Sequence, residues 1–142
     1  MGNHLSTVAA LLFFAFTASL VHCSKNNTDS TSTGQTAGNL TQGNWQVQYF
    51  YDDRDETIAY IGYVFTFSND GTLSLTNGVD SAGGGWEVTQ DGSKQKLVLN
   101  IVSNTLLQNL NDDWEIESSS KSFIKLKDQN TSSKHSLHLK RK

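Results

Sequence analysis

From Gly43 onward the chain alternates between apolar and polar residues with a period of two, and this restricts the folds open to it more than any other feature. Trp45, Val47, Tyr49 and Tyr51 alternate with Gln46 and Gln48. Ile61, Tyr63, Phe65 and Phe67 repeat the pattern, followed by Leu73 and Leu75, Trp86 and Val88, Leu97, Leu99 and Ile101, Trp114 and Ile116, Ile124 and Leu126, and His135, Leu137, Leu139 and Arg141. Side chains two apart on a strand share a face, so each run is a strand with one apolar side. Asn69-Asp70-Gly71 and Asp91-Gly92 carry hairpin chemistry, the first read as a type I′ turn. These eight short strands at regular spacing predict an all-β fold: an up-and-down antiparallel meander of about eight strands closing into a barrel. Closure buries the apolar faces and removes the edges. A two-sheet sandwich is the alternative.

Ser103 to Leu110 breaks the alternation. Leu106, Leu107 and Leu110 fit one face of a short helix with Ser103 as N-cap, which places a helix between strands five and six. Asn77 to Gly84 reads as a Gly-rich loop, and Gly83-Gly84-Gly85 as a flexible joint or bulge.

The N-terminal part is different. Val8 to Val21 is uncharged and apolar, too short to span a bilayer, and matches the core of a secretory signal, although Met1 to His4 lacks Lys and Arg. Ser24 to Gln42 is rich in Ser, Thr, Asn and Gly and reads as a flexible tether. The expected organisation is a signal helix over residues 1–22, a linker over 23–42 and a barrel domain over 43–142.

Cys23 is the sole cysteine, so a disulfide within the chain is impossible. Leu20-Val21-His22-Cys23 resembles the relaxed lipobox of Bacteroidetes lipoproteins, with His22 departing from the usual small residue. That resemblance implies cleavage before Cys23, lipidation of its sulfur and amine, and anchorage in the cell envelope, most simply at the outer membrane. Each buried acyl methylene contributes about 0.8 kcal/mol, so two or three chains make a lasting anchor. N-myristoylation at Met1-Gly2-Asn3-His4-Leu5-Ser6 would need a cytosolic chain, against which the apolar segment speaks. Simple secretion is the other alternative. Asn26, Asn39 and Asn130 head glycosylation sequons, as arise by chance in so Ser/Thr/Asn-rich a chain.

A second resemblance covers about residues 40–140. Gly43-Asn44-Trp45 opening the first strand, Phe65 to Thr72 as Phe-x-Phe-x-x-Asp-Gly-Thr, Gly84-Gly85-Trp86, and a basic residue ending the last strand are similar to the lipocalin-like domains of those lipoproteins. The resemblance implies a lipocalin-like barrel whose first-strand Trp45 meets Arg141 in a cation–π contact.

Little in the chain points to catalysis. The net charge is −3 and the chain has no proline; the mildly acidic balance gives no reason to expect a nucleic-acid partner. Beyond the leader, His135 and His138 are the histidines, and on a strand their spacing puts them on opposite faces, against a shared metal. Asp52, Asp53, Asp55 and Glu56 could hold Ca²⁺ but lack an EF-hand's spacing, and read as a solvated hairpin tip. No cofactor is expected, and the protein is read as a monomer and not an enzyme. The aromatic residues carry the functional promise: Trp45, Tyr49, Tyr63, Phe65, Phe67, Trp86 and Trp114 are assigned to the inward face. They line a pocket for a small apolar ligand or fill the barrel themselves, which is barely wide enough for side chains. The two functions carried forward are a membrane-anchored module holding a small apolar molecule, with Trp45, Tyr49, Tyr63, Phe65, Trp86 and Trp114 as lining, and a structural or protein-interaction lipoprotein with a filled core.

Overall fold

The computed structural model describes residues 28–103, 106–129 and 134–142. A helix, α1 (Thr28–Leu40), precedes nine strands: β1 (Asn44–Asp52), β2 (Arg54–Asp55), β3 (Val64–Phe67), β4 (Thr72–Thr76), β5 (Ser81–Asp91), β6 (Lys94–Val102), β7 (Asp112–Ser119), β8 (Phe123–Lys127) and β9 (Ser136–Arg141). Leaving aside the two-residue β2, which folds back on β1 around Asp53, the eight long strands pair in chain order. β1 then pairs with β9, from Trp45 against Arg141 to Tyr51 against Ser136, and closes an eight-stranded antiparallel barrel. The meander and the closure are those expected from the alternation.

The helix is not where the sequence placed it. It lies before β1, while the described residues between β6 and β7 include a 3₁₀ turn, Leu106–Leu110, with Leu107 and Leu110 buried and Leu106 outside. Five residues give one turn of apolar face, and two contacts into the barrel mouth satisfy it. Residues 28–40, expected as flexible tether, form the α-helix instead. Its composition is poor for a helix, but Thr36, Ala37 and Leu40 fall at helical spacing and pack against the barrel core, with Leu40 fully buried. Tertiary packing of one face overrides weak propensity here.

The glycine run is also reassigned. Gly83, Gly84 and Gly85 lie inside β5, paired with β4 on one side and β6 on the other, so the strand begins at Ser81. Gly84 faces inward opposite Ile101, and a Cβ there would collide with the Asn100 carbonyl. Glycine therefore sets how closely β5 and β6 approach. The Ser68–Gly71 turn is not type I′. Gly71 N–H donates to Ser68 O, and Gly71 alone has positive φ, at 83°. This is a type I turn followed by a left-handed glycine. Gly92, with φ of 60°, begins the two-residue Gly92-Ser93 loop between Asp91 and Lys94.

Each end of the barrel is covered. At one end α1 meets the start of β1 and the end of β9. At the other lie the 3₁₀ turns Thr57–Tyr60 and Leu106–Leu110 with the β4–β5 connection and residues 128–129 and 134–135. The three indoles fasten these pieces through their N–H groups: Trp45 donates to Leu40 O of α1, Trp86 to Ser68 O of the β3–β4 turn, and Trp114 to Leu110 O, each at 2.9–3.0 Å. A buried indole N–H needs such a partner.

Candidate functional site

The interior is the first place to look. Trp45, Phe65 and Trp114 are 0–1% exposed, and Tyr63 and Trp86 are buried beside them. They pack on one another and on aliphatic neighbours. Phe50 meets Tyr60 edge-on with centroids 5.0 Å apart and Trp114 at 6.4 Å, and Phe67 meets Trp86 edge-on at 5.3 Å. Such contacts are favourable beyond the area they bury. Five of the six residues expected to line a pocket thus face inward, and the space between them holds Phe50, Leu73, Leu75, Leu97, Leu99, Ile101, Leu126, Leu137 and Leu139.

Tyr49 is the exception. β1 carries a bulge between Val47 and Tyr49 in its pairing with β9. One extra residue reverses the phase of everything after it. Phe50 takes the inward position, and Tyr49 turns outside, 5.1 Å from the His138 ring. The run Tyr49-Phe50-Tyr51 is aromatic in both phases, so alternation could not choose between them.

Trp45 and Arg141 do meet. The guanidinium carbon lies 5.3 Å from the indole centroid, and Nη2 donates to Asn39 O at 2.9 Å. The end of β9 is held in place, since Arg141 N–H donates to Ser122 O and Lys142 N–H to Asn44 O. Asn39 itself is buried in the fold; Asn26 and Asn130 lie outside the described residues, as does Cys23.

The two histidines lie apart, but not by the strand period: β9 begins at Ser136, and His135 stands in the connection before it. His138 sits on the outer face of β9 against Tyr49 and Phe123; partial burial and then the Lys125 ammonium hold its pKa below the ordinary value. His135 stands at the far barrel end, with Nε2 2.7 Å from Asp52 Oδ1 and Nδ1 3.7 Å from Asp128 Oδ2. Asp52, Asp53 and His135 bring one donor atom each within 4.8 Å of one another. A divalent cation accepts oxygen and imidazole ligands, but the imidazole here is engaged by the Asp52 carboxylate. Asp112, also near this end, has its carboxyl pKa raised, first by burial and then by the nearby Asp128 charge. Tyr60 donates its hydroxyl to Leu106 O at 3.0 Å, and burial, reinforced by the Glu56 charge, pushes that hydroxyl up to about 12.

Three of the depressions on the outside are lined by described residues. One, of about 230 Å³, lies where β1 and β3 part after two paired residues, lined by Val47, Gln48, Ile61, Gly62 and Lys140 among others. A second, of about 300 Å³, adjoins Trp86 and Asn100. The third, of about 340 Å³, is lined by Asp52, Asp53, Arg54 and Glu56.

The same end displays features that alternation had hidden. Ile58, Ile61, Val79, Val102 and Leu106 are exposed, by 39–92%, and all lie in or beside its connections. Ile61 had the phase of an inward strand residue. It is outside because β3 begins at Val64 and the chain before it is a 3₁₀ turn. A run of aliphatic residues beside acidic ones in a loop was the available signal.

No protein-family model matches the chain, and no curated protein matches it. Among solved structures it is similar to a duf4847 family protein from Bacteroides vulgatus ATCC 8482, with a TM-score of 0.53 and 18% identity over 72% of this chain and 94% of that one. At this identity the likeness shows the fold: the chain has the barrel found in that Bacteroides protein.

Proposed function

We propose that the protein is a lipid-anchored lipoprotein of the cell envelope whose lipocalin-like barrel is a solid scaffold that works through its end loops. The observation that carries this reading is the interior, where Trp45, Phe50, Phe65 and Trp114 fill the barrel at 0–1% exposure with both ends covered. An eight-stranded barrel has room for its own side chains or for one small ligand, and here side chains occupy it. The anchor rests on Cys23 at the end of the apolar leader, five residues ahead of α1. Attachment there puts α1 on the membrane side and the opposite loops outward.

Two measurements test it. Growth with a clickable fatty acid should label the wild-type chain and leave Cys23→Ser unlabelled; equal labelling of both sinks the anchor. Native mass spectrometry of the full chain from its own host should give the acylated protein mass with no further adduct. An organic-extractable adduct of a few hundred daltons would restore the ligand-holding reading. The parting of β1 and β3 beside Val47 is where such a ligand would enter.

A further inference from the structure

We propose that the barrel end opposite α1 is a docking face for a cationic amphipathic segment of another protein. Among the described residues, every large apolar side chain with high exposure lies at this end: Ile58, Ile61, Val79, Val102 and Leu106. Scattered exposed aliphatics are ordinary, but a concentration on one end of a small domain marks an interaction surface.

The loops that carry them are tied into one surface. The Tyr60 hydroxyl donates to Leu106 O and joins the Thr57–Tyr60 turn to the Leu106–Leu110 turn. The Tyr63 hydroxyl reaches Asp80 Oδ2 at 3.4 Å, linking the start of β3 to the loop bearing Val79. A Cβ on Gly62 would lie 4.0 Å from the Asn77 Cβ, so the two connections run beside each other. Asn77 Oδ1 accepts from Val79 and Asp80 N–H and fixes the shape of that loop. Ile58, Ile61 and Val79 are thus presented on turns held by hydrogen bonds.

Charge decides between occupants. Asp52, Asp53, Asp80, Asp112 and Asp128 lie at this end; Arg54 is paired with Glu56 at 2.6 Å, Lys127 with Glu115 and Glu117, and His135 stands 2.7 Å from Asp52, so that carboxylates outnumber the cations there among the described residues. Such a rim repels an anionic lipid surface, and it repels a second copy brought face to face. It attracts a partner that carries Lys or Arg beside its apolar residues. The open depression of about 340 Å³ between Asp52, Asp53, Arg54 and Glu56 adjoins the turn that bears Ile58, so carboxylates stand beside the exposed aliphatic groups. This inference extends the scaffold reading, because it names the class of partner that the loops would hold.

The test is methyl-detected NMR of the full chain in neutral phosphatidylcholine nanodiscs, titrated with a short Lys-Lys-Leu-Leu-Lys-Lys peptide and with its Glu-Glu-Leu-Leu-Glu-Glu counterpart. The cationic peptide should saturably shift the methyls of Ile58, Ile61, Val79 and Val102 while interior Ile101 and Ile124 stay still. Affinity should fall at least fivefold in Asp52→Asn/Asp53→Asn, and again in Ile58→Ser/Ile61→Ser. The anionic peptide should shift nothing. Unmoved rim methyls, or equal response to both peptides, overturn the proposal. Rim shifts that depend on protein concentration without peptide would assign the face to a second copy, and rim shifts with phosphatidylglycerol nanodiscs would assign it to lipid; either also overturns it. A fatty acid that moves Ile101 and Ile124 would instead defeat the filled-core reading and leave the docking face standing.

Discussion

The Arg141 guanidinium lies over the Trp45 indole at 5.3 Å while its Nη2 holds the carbonyl of Asn39. One side chain on the last strand thereby joins the first strand to the helix before it. Arg141→Ala removes a cation–π contact of roughly 0.5–2 kcal/mol and a charged hydrogen bond of about 1.5–3 kcal/mol. Urea denaturation should show a loss of about 2–4 kcal/mol. Arg141→Lys should recover less than half, because an ammonium cannot both stack and reach Asn39. Equal stability of Lys and Ala variants with wild type would remove this contact from the account.

Leu40 is fully buried, and its carbonyl receives the Trp45 indole N–H. Leu40→Ala should cost about 2–5 kcal/mol. It should also speed hydrogen exchange of the Trp45 indole N–H far more than that of Trp86 or Trp114. Uniform acceleration of all three would mean that α1 is not a separate plug.

Gly84 and Gly83 are adjacent on β5 but differ in surroundings. A Cβ at Gly84 meets the Asn100 carbonyl, whereas one at Gly83 makes an ordinary 3.8 Å contact with Leu73 O. Gly84→Ala should therefore destabilise by about 1–3 kcal/mol or more, and Gly83→Ala by well under 1 kcal/mol. Matched effects in thermal unfolding would contradict the close approach of β5 and β6.

Acid should weaken the fold in two stages. The His138 pKa is lowered, mainly by burial, so the unfolded chain binds its proton first; that stability is complete above the ordinary value of 6.5 and is lost as pH falls from there toward the folded value. Asp113, Glu115 and Glu117 are held below their ordinary values first by hydrogen bonds from Lys96, Lys94 and Lys125 respectively, and Asp70 by the Thr72 N–H. Their contribution is present above about pH 4 and lost below it. Asp112, raised by burial, works in the opposite sense. Tm measured against pH should show a shallow decline beginning near 6.5 and a steeper one below about 4, and His138→Gln should abolish the first. A first stage that survives that substitution would assign it to another group.

The strands were legible because each has one face in the core: Phe65, Phe67, Leu73, Leu75, Leu97, Leu99 and Ile101 repeat at two and are all buried. Legibility failed where the burial pattern changed phase or came from few contacts. Tyr49 and Phe50 are both aromatic, so the bulge before them left no trace in hydropathy. The α1 helix docks through Thr36, Ala37 and Leu40, with one large apolar residue among them, and its polar composition reads as coil. The three glycines of β5 looked like a loop because glycine is depleted from strands. What selects it at Gly84 is the neighbouring carbonyl, a feature of the fold and not of the local chain. At the candidate site, the Trp45–Arg141 contact followed from the pairing of first and last strands. The aliphatic end did not, since turns carry no period by which to tell inside from outside.

The junction of Leu40, Trp45 and Arg141 also fixes how the domain would respond to mechanical load. A force arriving through the chain before α1 passes to the barrel where β1 and β9 are hydrogen-bonded from Trp45–Arg141 to Tyr51–Ser136. Force directed along those strands puts the seam in shear and shares it across the whole row of bonds, which would otherwise unzip one at a time. With the anchor proposed at Cys23, a pull through α1 would load this seam before it loads the opposite end.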